Sequence, residues 1–247
     1  HNFGDGFAKA FNIQYTDKEN KLQYIHQTSW GMSTRLIGGI IMVHGDDSGL
    51  VLPPKIAPTQ VMVIPIQQHK EGVLDKAAEI RDTLKQAGVR VKMDDSEKSP
   101  GWKFAEQEMR GIPIRLELGP KDIEANKCIL VRRDTREKTE CTLNEAAAVI
   151  TELLETIQKD MFARAKAHRD AHISDVCTYE ELKDAVEHKP GFIRAMWCGD
   201  VACENKIKED TTATSRCIPF GEQEAISDVC VCCGKPAHKL IYWGKAY

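Results

Sequence analysis

Two pairs of closely spaced cysteines near the C-terminus constrain the fold of this chain more than any other feature. The pairs are Cys198-x4-Cys203 and Cys230-x2-Cys233, and these loop spacings let both sulfurs of a pair turn toward one ion. Tetrahedral Zn²⁺ takes four such ligands in structural sites. We therefore expect a structural zinc site that holds a small C-terminal domain together.

The ligand set leaves alternatives open. Cys232 competes with Cys233 as the fourth ligand, and His238 is a weaker competitor. Free thiols packed in a small core are the alternative to a metal, but Gly199 and Gly234 favour the tight turns that a metal loop needs. A site closed by four thiolates has no open position, so zinc there would stabilise the fold rather than activate water.

The composition is that of an ordinary soluble globular protein. The chain is 42% hydrophobic and 29% charged, with a formal net charge of -3. No apolar run reaches the length of a membrane span and no basic-then-apolar leader opens the chain, so we expect a cytoplasmic protein without a membrane partner. A pI near 6.3 argues against bulk electrostatic attraction to nucleic acid, DNA included, but allows a local basic face.

The pattern of elements divides the chain into residues 1–57, 58–166 and 167–247. A continuous apolar run from Leu36 to Val43 favours a buried strand in the first part. Closely spaced prolines at 53, 54 and 58 then interrupt regular structure and indicate a domain exit.

Residues 58–166 show a strand, helix, strand pattern that extends into a mixed sheet. Thr142-x-x-Glu145 is a capping-box signature for a long helix that we expect to close this part near residue 166. Four strands and two further helices are predicted, namely strands at 61–66, 89–93, 114–118 and 128–132 and helices at 73–87 and 102–110.

The last part begins with a second capping box, Thr178-x-x-Glu181, and a short helix that ends at Pro190-Gly191. The segment 192–197, FIRAMW, predicts a strand that leads directly into Cys198.

Three long segments resemble class II prolyl-tRNA synthetases of the archaeal and eukaryotic type. QTSWGMSTRLIGGIIMVHGDDSGLVLPPKIAPTQV at 27–61 is similar to the third signature of that family. SPGWKFAEQEMRGIPIRLELGPKD at 99–122 and ILVRRDTREK at 129–138 are similar to its anticodon-binding domain. The cysteine pairs and Tyr247 match its C-terminal zinc domain, so the resemblance covers essentially the whole chain.

The resemblance implies an α/β protein in three parts: the end of an antiparallel class II catalytic sheet, a mixed α/β anticodon-binding domain and a small α+β zinc-binding domain. It implies proline–tRNA ligase activity, in which ATP with Mg²⁺ activates proline to prolyl-adenylate and the prolyl group then passes to tRNA(Pro). It also implies a homodimer, and a free carboxylate of Tyr247 near the active site.

Site residues follow from the same resemblance. Arg35 matches the ATP-binding arginine of the third signature and is the expected catalytic residue. The positions that match or flank the proline pocket are His1, Phe3, Trp30, Gly31 and Ser33. The positions that match anticodon contacts are Glu108, Arg115, Lys121 and Lys138. We expect Trp102 and Phe104 in the core rather than stacked on bases.

The first two class II signatures, including the arginine that holds the α-phosphate, are missing from these residues, so the chain alone should not aminoacylate. Two other interpretations remain. One is a stand-alone tRNA-binding module, but the retained TSWGMSTR segment argues against it. The other is a zinc-ribbon adaptor, which only the cysteine pairs suggest.

Overall fold

The computed structural model describes residues 1–221 and 223–245, so Tyr247 lies outside the described residues. The first part of the chain consists of short elements. They are β1 (Asn2–Gly4), α1 (Gly6–Ala10), β2 (Gln14–Thr16), β3 (Leu22–Tyr24), β4 (Gln27–Thr28) and α2 (Arg35–His44). β1 pairs with β4 and β2 pairs with β3, both antiparallel. The antiparallel catalytic sheet expected here is thus represented by two separate two-stranded ladders.

The strand predicted for Leu36–Val43 is wrong, because this run forms most of helix α2. A short apolar run fits a buried strand and a helix equally well, so periodicity could not separate the two. No residue of α2 is buried, although most of them are apolar.

The middle part contains a mixed sheet, as predicted, with five strands in place of the four expected. Its elements are β5 (Val61–Pro65), α3 (Val73–Gln86), β6 (Val91–Met93), α4 (Pro100–Met109), β7 (Ile114–Leu118), α5 (Pro120–Glu124), β8 (Lys127–Arg132) and β9 (Lys138–Thr142). The strand order is β6-β5-β7-β8-β9. β6, β5 and β7 are parallel, whereas β8 and β9 add antiparallel. The sequence pattern had not predicted β9.

A single core lies on one face of this sheet. α3 contributes Ile80 and Leu84, and helix α6 (Ala146–Ala171) contributes Ile150 and Ile157. The facing strand residues include Val63, Leu116 and Leu130. A smaller cluster of Met62, Ile64 and Ile112 lies on the other face, and Phe104 of α4 packs against it. The larger core therefore covers most of one face of the sheet, and α4 covers the other face only in part.

The capping box predicted at Thr142 does not form. Thr142 is the last residue of β9, and its hydroxyl donates to Glu145 Oε2 at 2.7 Å. α6 begins later, at Ala146, without a side-chain cap. Its C-terminal end at Ala171 lies beyond residue 166, so the boundary expected there falls inside the helix.

The last part forms a four-stranded sheet with two helices, an α+β arrangement. Its elements are β10 (Ile173–Asp175), α7 (Tyr179–His188), β11 (Phe192–Trp197), α8 (Val201–Thr211), β12 (Ala213–Cys217) and β13 (Lys239–Lys245). The strand order is β10-β11-β13-β12 around a core that includes the fully buried Trp243. The capping box at Thr178 is confirmed, since Thr178 Oγ1 accepts from the Glu181 N–H and Glu181 Oε2 accepts from the Thr178 N–H.

Residues 46–52 join the first part of the chain to the sheet domain. The Leu50 N–H donates to the Met109 carbonyl at 3.0 Å, and the Leu52 N–H donates to the Gly111 carbonyl at 3.2 Å. Gly111 has a φ of +70°, and a Cβ there would lie 2.6 Å from the Leu50 backbone. Only glycine allows this close approach. Among the helices of the described residues, none is both long and apolar enough to cross a membrane.

Candidate functional sites

The partly open face of the five-stranded sheet carries two of the predicted anticodon residues, Arg115 and Lys138. Successive side chains of a strand point to opposite faces, so Arg115 lies opposite the core face that Ile114 and Leu116 occupy. Arg115 is in register with Val131, and Val131 is in register with Lys138. Arg115 and Lys138 therefore lie on the same face of the sheet, with one strand between them.

Two carboxylates and an aromatic ring hold Arg115 in place. Its Nε donates to Glu117 Oε1 at 2.9 Å, and its Nη1 donates to Glu108 Oε1 at 3.0 Å. Its guanidinium carbon lies 4.1 Å from the centroid of the Phe104 ring. Arg115 is only 8% exposed, whereas the side chain of Glu108 is 32% exposed. The arginine is thus oriented before any ligand arrives, and Glu108 is the carboxylate open to solvent.

The two lysines among the predicted anticodon residues are exposed. Lys138 lies in β9 at the edge of the sheet, and Lys121 lies in α5, directly after the carboxyl end of β7. No hydrogen bond or ion pair within the described part of the chain joins Lys121 to Arg115 or Glu108. The structure therefore brings Glu108 and Arg115 into contact, places Lys138 on their face and leaves Lys121 apart.

Phe104 and Trp102 behave differently, although both were expected in the core. Phe104 packs against the small cluster of Met62, Ile64 and Ile112, as expected. Trp102 is 47% exposed, so the expectation for it was wrong. Helix geometry explains the difference, because α4 buries Lys103 and Gln107 and turns Trp102 outward beside Lys98.

Sequence reasoning missed Glu117 as a member of this site. The signal was present in β7, whose residues read Ile-Arg-Leu-Glu-Leu. Alternation along a strand puts Arg115 and Glu117 on one face, two residues apart. The pairing of their side chains could have been predicted from that spacing.

The residues predicted for the proline pocket lie close together but remain open. The Ser29 N–H donates to the His1 carbonyl at 2.9 Å, which brings His1 beside the segment that contains Trp30. His1 also stacks on Phe3, with 5.6 Å between ring centroids. Trp30 is 89% exposed, and Gly31, Ser33 and Arg35 are exposed as well. The described residues by themselves therefore do not enclose a proline-sized pocket.

Arg35 is the first residue of α2. Its backbone N–H contacts Ser33 Oγ at 3.4 Å, and its side chain makes no ion pair within residues 1–221 and 223–245. A guanidinium at the start of an exposed helix is available to an anionic ligand such as a nucleotide phosphate.

The four predicted cysteine ligands converge. The sulfurs of Cys198, Cys203, Cys230 and Cys233 all lie within 4.8 Å of one another. Cys198 Sγ is 3.7 Å from Cys203 Sγ and 3.8 Å from Cys233 Sγ. A zinc tetrahedron with four thiolates has sulfur–sulfur edges of about 3.8 Å, since each Zn–S bond is about 2.3 Å. The donor set and its spacing fit Zn²⁺.

Local backbone geometry explains the convergence. Cys198 follows directly after β11, and Cys203 is in the first turn of α8. Cys230 and Cys233 share a turn in which the Gly234 N–H donates to the Cys230 carbonyl at 3.0 Å. Gly199 and Gly234 both have positive φ, as the predicted tight turns require.

The two competing ligands lie outside this group. Cys232 is half-buried and packs against the apolar clusters of the last domain. His238 does not belong to the converging set either. The geometry therefore favours Cys233 as the fourth ligand.

The backbone around Cys230 favours the thiolate form of this residue. Burial by itself raises the pKa of Cys230, but the backbone N–H groups of Cys233, Cys232 and Cys198 stabilise its thiolate and lower the pKa to about 7. Thiolates rather than thiols bind metals, so Cys230 is prepared for ligation near neutral pH. Burial raises the pKa of Cys203, because a charged thiolate is poorly solvated there.

Comparison with protein families identifies two of the three parts. Residues 60–153 match the family described as anticodon binding domain, and residues 179–247 match the family described as prolyl-tRNA synthetase, C-terminal. The first match contains Glu108, Arg115, Lys121 and Lys138. The second contains all four converging cysteines.

Curated relatives extend the similarity to the whole chain. Over all 247 residues the chain is 71% identical to a proline–tRNA ligase of Agathobacter rectalis, 69% identical to one of Lachnospira eligens and 61% identical to one of Clostridium novyi. The chain spans about half the length of these relatives, 51% of each. All three are bacterial, so the expected assignment to the archaeal and eukaryotic type gains no support from them. Residues 60–153 thus match the anticodon-binding domain family and residues 179–247 match the prolyl-tRNA synthetase C-terminal family, in a chain similar throughout to bacterial proline–tRNA ligases.

Proposed function

We propose that this chain is the C-terminal portion of a proline–tRNA ligase, which activates proline with ATP and transfers it to tRNA(Pro). The observation that carries the proposal is the 71% identity to a proline–tRNA ligase over every residue of the chain. The oriented Arg115 site supports it, because this site lies within the residues that match an anticodon-binding domain.

In this proposal the sheet face around Arg115 reads the anticodon. Bases in a single-stranded loop expose their hydrogen-bonding edges to a protein. The carboxylate of Glu108 can accept from the N1–H and N2–H₂ of guanine, while Arg115 can donate to O6 and N7. Lys121 and Lys138 are exposed cations that can reach further base edges or phosphates.

The first part of the chain contributes to amino-acid activation. Adenylate formation is attack of a carboxylate on the α-phosphate of ATP, so it depends on positioning and on charge neutralisation. Arg35 would bind ATP and neutralise its phosphates, and Mg²⁺ would accompany the nucleotide. His1, Phe3, Trp30, Gly31 and Ser33 would line or flank the proline pocket. The relatives are about twice as long, and we place the remaining catalytic groups in the part that this chain does not span.

Zinc has a structural role in this proposal. Four thiolates from Cys198, Cys203, Cys230 and Cys233 would occupy all tetrahedral positions, so the metal would take no part in catalysis. It would instead link the end of β11 and the start of α8 to the turn at 230–234. A homodimer belongs to the proposal on resemblance alone, whereas a cytoplasmic location and a domain boundary near residue 57 belong to it on the sequence pattern.

The experiment is proline-dependent ATP–pyrophosphate exchange by the full-length enzyme, with alanine and cysteine as control amino acids. We expect exchange with proline, and loss of at least about a hundredfold in kcat in the Arg35→Ala variant, because one phosphate-binding donor is worth roughly that factor. Arg81→Ala removes an arginine on α3 that forms an ion pair with its neighbour Asp82, and it should leave exchange unchanged. Absence of exchange with every amino acid would instead favour a tRNA-binding module without catalysis.

A further inference from the structure

Glu117 lies beside Arg115 in the proposed anticodon site and is a buried carboxylate of the sheet domain. It is 8% exposed, and its side chain points to the same face of β7 as Arg115. Glu117 Oε1 accepts from Arg115 Nε at 2.9 Å. Burying a carboxylate is costly unless it is paired, so this contact determines where both side chains rest.

The hydrogen-bond inventory of Arg115 shows what Glu117 leaves free. A guanidinium has five N–H donors in a rigid planar fork. Glu117 takes the Nε–H and Glu108 takes one Nη1–H, so two of the five are used and three remain. Within the described residues no acceptor meets these three donors, one on Nη1 and two on Nη2. They are available to a ligand.

The two carboxylates differ in depth and therefore in role. Glu108 belongs to α4 and its side chain is 32% exposed, whereas the side chain of Glu117 is 10% exposed. A ligand can reach Glu108 and share it with Arg115. Glu117 is as deeply buried as the arginine that it binds, and the Phe104 ring lies against the guanidinium.

We propose that Glu117 is a positioning residue for anticodon recognition: it holds the Nε edge of Arg115, so that the free Nη donors meet the O6 and N7 acceptors of an unstacked guanine. Glu117 itself does not touch RNA. This inference rests on the proposed function and adds to it a residue that acts only through Arg115.

Chemistry favours guanine over adenine at such a site. Guanine presents two adjacent acceptors, O6 and N7, which match two parallel N–H donors of a fixed guanidinium. Adenine presents one acceptor and one donor, so one N–H of the arginine would face another N–H. Discrimination therefore depends on the guanidinium keeping its orientation, which Glu117 enforces and a freely rotating arginine would lose.

The test compares Glu117→Ala, Glu117→Gln, Arg115→Ala and the double variant Glu117→Ala/Arg115→Ala in the full-length enzyme. Aminoacylation gives KM for tRNA and kcat, with active-site concentration normalised by proline-dependent exchange. Each enzyme is assayed with tRNA(Pro) transcripts that carry the natural anticodon or adenine in place of one anticodon guanine. The matched control is Glu106→Gln, which changes another carboxylate of the same domain that pairs with an arginine, Arg110.

We expect Glu117→Ala to raise KM for tRNA about tenfold with little change in kcat, because freeing one long side chain has a cost of that order. Glu117→Gln keeps an oxygen that accepts the Nε–H, so its effect should be smaller, about threefold. Preference for guanine over adenine should fall in both variants. In the Arg115→Ala background, Glu117→Ala should add less than about twofold, because its effect passes through Arg115.

Three results would overturn the inference. The first is an unchanged KM in both Glu117 variants. The second is a full additional effect of Glu117→Ala in the Arg115→Ala background, which would mean direct RNA contact or a general structural role. The third is a KM increase with guanine preference intact. If the variants give any of these results while the wild-type enzyme charges tRNA with proline, the proposed function stands. A wild-type enzyme that neither exchanges nor charges would overturn both the inference and the proposed function.

Discussion

Asp46 and Arg133 form a bidentate salt bridge that joins the first part of the chain to the sheet domain. Arg133 Nη1 and Nη2 donate to the two carboxylate oxygens of Asp46 at 2.7 and 2.6 Å. Arg133 Nε also donates to the carbonyl of Glu108 at 2.8 Å. The same guanidinium thus holds the connection at Asp46 and the end of α4, where the proposed anticodon carboxylate lies.

Asp46→Asn should destabilise the protein. An uncharged amide cannot accept from both Nη1 and Nη2 as the carboxylate does. Because Arg133 is almost fully buried, its positive charge would lose the negative charge that balances it. We expect a loss of about 1–2 kcal/mol, since Asp46 itself is partly solvent-exposed. Urea unfolding measures the effect. Asp47→Asn is the matched control, because Asp47 is exposed and makes no ion pair within the described residues, and an equal loss there would contradict the prediction.

The contribution of Asp46 should depend on pH. Hydrogen bonds from Arg133 lower the pKa of Asp46 from 3.8 to about 2. Because the folded-state pKa is the lower one, the stabilisation is complete above the unfolded-state pKa and is lost as pH falls from about 4 toward about 2. The difference in urea midpoint between wild type and Asp46→Asn should therefore be constant above about pH 5 and shrink below pH 4. A difference that keeps its size at pH 3 and below would argue against this pair as the cause.

Lys138→Ala should weaken tRNA binding through lost electrostatic contact. Lys138 is exposed on the same sheet face as Arg115 and makes no ion pair within residues 1–221 and 223–245. If it contacts phosphate, the slope of log Kd against log salt should fall by about 1, with nearly equal weakening for all anticodon sequences. Filter binding across a salt series checks this. Lys85→Ala, on α3 at the opposite face of the sheet, should leave the slope unchanged.

Cys233→Ser should lower the zinc content, whereas Cys232→Ser should leave it unchanged. Cys233 belongs to the converging group of sulfurs and Cys232 does not. Metal analysis of the purified full-length protein should give about one zinc per chain for wild type and Cys232→Ser, and much less for Cys233→Ser. Cys233→Ser should also melt at a lower temperature, because metal binding contributes folding free energy. Retained zinc in Cys233→Ser with loss in Cys232→Ser would reverse the ligand assignment.

Gly191→Ala should destabilise the last domain. Gly191 has a φ of +137°, and a Cβ there would lie 2.0 Å from the His172 carbonyl oxygen. Backbone strain and the clash together should cost about 2–4 kcal/mol in unfolding free energy. Gly101→Ala, in α4 with nothing within 4 Å of the added Cβ, should be neutral or slightly stabilising. Equal stability of both variants in thermal unfolding would contradict the expected contact.

Local signals predicted most elements of the two later domains correctly. β7 and β11 match their predicted bounds, and the Thr178 box caps α7 as expected. These segments succeed because alternation, β-branched residues and capping side chains act within a few residues of chain. The strand predicted for residues 36–43 was wrong, since an apolar segment without alternation is compatible with a strand and with a helix. The capping box predicted at Thr142 was wrong because Thr142 is the last residue of β9, an edge strand that the sequence pattern did not predict.

By itself, the sequence determined which residue types are available and how they are spaced along the chain. It predicted two thiolate pairs, a mixed sheet and the candidate residues of each site, because ligand chemistry and side-chain periodicity are local properties. Only the tertiary structure decided which cysteine joins the group, that Glu117 holds Arg115, and that Trp102 faces solvent. These outcomes depend on sheet register, on helix rotation and on turns that meet across long stretches of chain. Such long-range geometry results from packing of the whole domain.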